Sequence, residues 1–159
     1  MSLGVDIGIV HETKCARRQF AVRKGRGYAI CSTNAGSSRC GGVALIYRED
    51  KSRFVMKNLK VQGRNTISVE IQTGNVRYFT VGCYIPPSDR TEETYGKITG
   101  ALDCQPKGTL PLILGDLNVD LEHPRSTQEA RVAELIDNLQ LRCLSRHFKQ
   151  RRQKHIKGR

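Results

Sequence analysis

The chain has 159 residues, 38% apolar, 26% charged and only 6% aromatic, a composition that fits one small globular domain and leaves little room for a second. No apolar run reaches the roughly 20 residues that cross a bilayer, and Met1-Ser2-Leu3-Gly4-Val5-Asp6 lacks the basic flank and apolar centre of a secretory signal, so neither a membrane partner nor secretion is expected. With 27 Lys+Arg against 15 Asp+Glu the net charge is +12, which makes a polyanion the expected macromolecular partner.

Short β-branched or aromatic runs bounded by Gly, Asn, Asp or Pro predict strands at Val5–Val10, Gly27–Cys31, Gly42–Tyr47, Phe54–Leu59, Thr66–Ile71, Val76–Tyr84 and Leu110–Leu114. The runs on either side of Gln72-Thr73-Gly74-Asn75 read as a hairpin. Helical spacing appears twice: Tyr95, Ile98 and Leu102 after Thr91, and Val132, Leu135, Ile136 and Leu139 after Ser126. Ser126 and Glu129 have capping-box spacing, whereas Gly96 and Gly100 weaken the first helix. Strands followed by helix, strand and helix predict an α+β fold: an incomplete four-layer α/β-sandwich, two packed β-sheets with flanking helices. So many elements in so short a chain look truncated at both ends.

The six cysteines, Cys15, Cys31, Cys40, Cys83, Cys104 and Cys143, are scattered without a Cys-x-x-Cys pair. They read as reduced thiols of an intracellular protein, nuclear or cytoplasmic, with no disulfide-linked partner. Basic residues cluster at the end: Arg142, Arg146, Lys149, Arg151, Arg152, Lys154, Lys157 and Arg159 follow residue 141, where no acid occurs. The expected division is therefore a domain at 1–141 and a basic tail at 142–159. From Lys149 onward the only aliphatic residue is Ile156, too little apolar surface to offset the entropy of ordering, so disorder in isolation is expected. Lys149, Arg151, Arg152 and Lys154 read as a nucleic-acid contact or an import-like patch; a solvated end is the competing reading.

Three places carry candidate chemistry. Glu12 follows the apolar run Ile7-Gly8-Ile9-Val10 and stands at a strand's carboxyl end, although an acid there is usually only solvated. Strand alternation turns His11 and Glu12 to opposite faces, which argues against their chelating one ion. In Leu110-Pro111-Leu112-Ile113-Leu114-Gly115-Asp116-Leu117-Asn118, a buried strand ends in a glycine and presents a carboxylate and an amide on one face. Such a pair can orient a water and hold a phosphate oxygen; Gly, Asp and Asn are equally the residues of a plain turn. In Val76 to Pro87, Phe79, Val81 and Cys83 share one face while Tyr78, Thr80, Gly82 and Tyr84 share the other. Tyr84 ends that second face with a hydroxyl able to donate to a phosphate oxygen, or simply to water.

Taken in order, Glu12-Thr13-Lys14, Gly41-Gly42-Val43-Ala44-Leu45-Ile46-Tyr47, Cys83-Tyr84-Ile85-Pro86-Pro87 and Gly115-Asp116-Leu117-Asn118 resemble motifs of the endonuclease/exonuclease/phosphatase superfamily. They resemble in particular the apurinic-endonuclease-like nuclease domain of non-LTR (LINE-type) retrotransposons. The stretch Leu144-Ser145-Arg146-His147-Phe148 with Arg151-Arg152 is similar to the basic stretch after that family's second helix. The resemblance implies a DNase I-like sandwich and Mg²⁺-dependent (or Mn²⁺-dependent) hydrolysis of DNA phosphodiesters. It also implies roles: Glu12 as metal ligand, Tyr84 as donor to the scissile phosphate, Asp116 to orient or deprotonate the attacking water, and Asn118 to hold a phosphate oxygen. A lone Glu suits Mg²⁺, which typically takes only one or two protein carboxylates and keeps several waters. The family's earlier Asn and its later Asp and Ser-Asp-His motifs have no counterpart here; in Ser145-Arg146-His147 an Arg stands where the Asp would be. Impaired hydrolysis is the expectation, with a catalytically dead nucleic-acid-binding remnant as the alternative.

Overall fold

The computed structural model describes residues 6–15, 21–25, 27–34, 41–49, 53–86 and 92–144. Eight strands and two helices occur among them: β1 (Ile7–His11), β2 (Ala21–Gly25), β3 (Tyr28–Ser32), β4 (Val43–Arg48), β5 (Val55–Gly63), β6 (Thr66–Thr73), β7 (Val76–Tyr84), α1 (Glu92–Asp103), β8 (Leu110–Asp116) and α2 (Thr127–Asn138). They form two four-stranded sheets, ordered β1-β4-β3-β2 and β5-β6-β7-β8. The first is antiparallel throughout, as is the second until β7 and β8, which run parallel. Parallel neighbours need a crossover, and α1 lies in the connection between them.

The predicted strands are all present, with ends shifted by a few residues. β2 is the strand that patterning did not predict, because Arg23 and Lys24 interrupt its apolar run; it lies at the edge of the first sheet, where such charges discourage pairing with other chains. The predicted hairpin joins β6 to β7, closing at the Thr73 and Val76 pair, with Gly74 at φ 56°. The α2 cap forms: the Ser126 hydroxyl accepts from the Glu129 amide (3.2 Å), and the Glu129 carboxylate accepts from Arg125 N–H (2.7 Å).

Two cores follow from the alternation of β6 and β7. Cys31, Val43 and Leu45 of the first sheet meet Ile67, Val69, Ile71 and Tyr84 of the second, with Ile7 and Ile9 packed alongside. On the opposite face of the second sheet, Phe79, Val81 and Cys83 pack against Tyr95, Ile98, Ala101 and Leu102 of α1 and Val132 of α2. Gly82 lets the sheets close: a Cβ there would come within 2.5 Å of Ile9 Cδ1 and 2.9 Å of Ile67 Cγ2. The result is an α+β arrangement of sheet, sheet and helix layer. Among the described residues no helix lies on the outer face of the first sheet.

Candidate functional site

The site lies where β1, β7 and β8 reach their carboxyl ends, at one end of the sandwich. The last β1 residue, His11, pairs with Val43, and the chain then follows β4 outward through Thr13 N–H to Gly42 C=O (3.3 Å) and Lys14 N–H to Gly41 C=O (3.1 Å). Glu12 adopts φ 54° and Lys14 φ 51°, left-handed values uncommon for residues with a side chain. That backbone ends the strand alternation, which corrects the expectation that His11 and Glu12 face apart. Both reach Tyr84. The Tyr84 hydroxyl donates to Glu12 Oε1 at 2.5 Å, and the His11 ring stacks on the Tyr84 ring with centroids 5.4 Å apart and planes 13° from parallel. Tyr84 itself is buried, while His11 and Glu12 are exposed and form its outer wall.

Two polar residues that sequence reasoning did not single out tie the sheets together beneath this contact. In the turn between β5 and β6, Asn65 accepts from Tyr84 N–H through its backbone carbonyl (3.0 Å) and from Gly42 N–H through Oδ1 (3.0 Å). Thr33 accepts from Val43 N–H (2.9 Å) and donates to Arg64 C=O (2.5 Å). Both are buried, so these bonds are made away from competing water. Nothing in local spacing could have found them, because the partners lie 23 and 31 residues apart.

Asp116 is delivered by register. It is the partner of Tyr84 in the parallel β7–β8 ladder, and Ile85 N–H donates to its backbone carbonyl (2.9 Å). Gly115 makes that approach possible: its φ is 148°, and a Cβ would sit 1.8 Å from the Cys83 carbonyl oxygen. Beyond the strand, Asp116 Oδ1 accepts from Asn118 N–H (3.0 Å), and Asn118 Nδ2 donates to Ile85 C=O (2.9 Å). Asn118 has φ 47°. Its place is thus set by an Asx-type turn rather than by strand alternation, and the turn reading of this segment holds. Glu12, Tyr84, Asp116 and Asn118 accordingly occupy one end of the fold, with the direct bonds running Glu12 to Tyr84 and Asp116 to Asn118.

Burial disfavours the thiolate at two core cysteines. Burial pushes Cys83 up to about 12, helped by the Asp116 charge, and burial alone raises Cys31 to about 12. Cys15, Cys104 and Cys143 are also free, so no disulfide forms among the described residues. No described helix is long and apolar enough to cross a membrane. Lys149, Arg151, Arg152 and Lys154 lie outside the described residues. No protein-family model matches the chain, and no curated protein matches it.

Proposed function

We propose that the chain is a metal-dependent phosphodiesterase of the endonuclease/exonuclease/phosphatase type acting on DNA, with a DNase I-like fold. The observation that carries this reading is the Tyr84–Glu12 contact between the two sheets, beside an Asp116 held in register with Tyr84. Glu12 would hold the metal: it is exposed and its ligand atoms are hard oxygens. Such a donor set suits hydrated Mg²⁺ or Mn²⁺ better than a tetrahedral zinc cage. A bound ion of this kind supplies charge neutralisation at the phosphate and the leaving oxygen. The remaining work falls to the chain. Tyr84 has one hydroxyl hydrogen, given to Glu12 in this structure, and would turn it to a phosphate oxygen when the Glu12 carboxylate is taken up by the metal. Asp116 keeps one carboxylate oxygen on Asn118 N–H and uses the other to orient and deprotonate water. Asn118 keeps one amide hydrogen on Ile85 and offers the second to the phosphate.

Nicking of supercoiled plasmid tests the reading. Purified chain with Mg²⁺ should convert supercoiled to open-circular DNA. EDTA should abolish this, and Asp116→Ala and Glu12→Gln should each lower the rate about 100-fold or more. Metal-independent nicking, or nicking that survives Asp116→Ala, overturns it.

Two observations favour a second reading, a module that binds nucleic acid without cleaving it. Asp116 and Asn118 are already bonded within their own loop, as they would be in a purely structural turn, and the net charge is +12. That reading expects DNA affinity to fall steeply as salt rises, because phosphate contacts release counterions. Fluorescence-anisotropy titrations at increasing salt, with and without residues 149–159, check it; salt-insensitive binding refutes it.

A further inference from the structure

His11 has no task in the scheme above, yet it lies against the one buried side chain on which the site depends. Tyr84 is held at two points by consecutive residues of one chain end: its hydroxyl by Glu12 and its ring face by His11. Building on the proposed phosphodiesterase, we infer that His11 is a positioning residue, whose ring braces the outer face of Tyr84 and so holds the phenol hydroxyl where Glu12 meets it in this structure and a phosphate oxygen would meet it in the reaction.

The reason lies in how the two strands meet. Among the described residues β1 pairs only with β4 and β7 only with β6 and β8, so no ladder of backbone bonds sets β1 against β7. Side chains must do it. The ring of Tyr84 is packed in the inter-sheet core at 3% exposure, and the exposed His11 closes its outer face. A flat ring laid nearly parallel on the phenol completes that packing, and offset-stacked aromatic pairs hold such geometry. His11 can serve as a fixed wall because its own backbone is anchored, by pairing with Val43 and by the Thr13 and Lys14 bonds that follow. The left-handed turn at Glu12 lets both contacts come from adjacent residues. The element required at position 11 is therefore a planar ring.

The experiment compares the full chain as wild type, His11→Ala and His11→Phe, with two readouts. One is the aromatic NMR signal of labelled Tyr84, assigned through Tyr84→Phe; the other is steady-state plasmid nicking with Mg²⁺. His11→Ala should shift the Tyr84 ring signals, speed its ring flips and lower kcat about tenfold, with KM and the thermal midpoint little changed, as expected when a reacting group loses its orientation. His11→Phe should restore both the signals and kcat. Unchanged Tyr84 signals in His11→Ala overturn the inference, and so does failure of His11→Phe to restore kcat, which would mean that the imidazole nitrogens act on substrate themselves. Should the wild-type chain not nick DNA, the proposed function falls on that result alone, while the Tyr84 signals still decide whether His11 positions the ring.

Discussion

The two sheets are supported unequally. The second is covered on both faces, by the first sheet through Ile67, Val69 and Ile71 and by the helices through Phe79, Val81 and Cys83. Among the described residues the first shares only the inner core; on its outer face Val10 remains 43% and Ile30 38% exposed. The candidate site is assembled across this difference. Tyr84 and Asp116 belong to the doubly covered sheet, His11 and Glu12 to the end of the singly covered one. The groups proposed to meet phosphate and water thus rest on the firmer frame, while the proposed metal ligand depends on what locks one sheet onto the other.

That contrast can be broken in graded steps. Gly115→Ala should be the most damaging change, because its Cβ would collide with the Cys83 carbonyl and no rotamer can relieve a backbone clash. A loss of about 3 kcal/mol or more in urea unfolding is expected, with the β7–β8 pairing forced apart where Asp116 stands. Leu45→Ala, in the inter-sheet core at 0% exposure, should cost about 2–5 kcal/mol. On the same sheet's other face, Val10→Ala should cost less than about 1 kcal/mol. Equal losses for that pair would show that the outer face is as well covered as the inner one. The smallest effect concerns Glu70, whose carboxyl is held below the usual range by the Asn58 hydrogen bond and then by Arg77 at 3.2 Å. A lowered folded-state value stabilises above the ordinary carboxylate range and is lost as pH falls through that lowered value. Arg77 is 45% exposed, so solvent screens the pair, and the wild type should exceed Glu70→Gln in stability by under about 1 kcal/mol at neutral pH. Urea midpoints measured from neutral to acid pH should converge.

The sequence disclosed the parts of this arrangement that depend on local pattern. β7 shows why: with period-two alternation, Phe79, Val81 and Cys83 had to share one core and Tyr84 the other, and they do. The positions of Glu12, Tyr84 and Asp116 at strand ends were legible for the same reason. The left-handed backbone at Glu12 was not, since Glu has no preference that announces it, and so the convergence of His11 and Glu12 on one tyrosine was hidden. Asn65 and Thr33 were hidden because their partners are remote in sequence. β2 escaped because an edge strand tolerates the charges that erase a strand's pattern.

The placement of two cysteines gives the fold a chemical clock. Cys31 sits in the core between the sheets and Cys83 in the core beneath the helices, each with a thiol raised to about 12 and so almost wholly protonated at neutral pH. An alkylating reagent needs the thiolate and needs access, and the native state withholds both. Modification at either position therefore requires that its own layer part first. Which of the two is labelled earlier under mild denaturant reports, residue by residue, whether the sandwich opens between its sheets or sheds its helices.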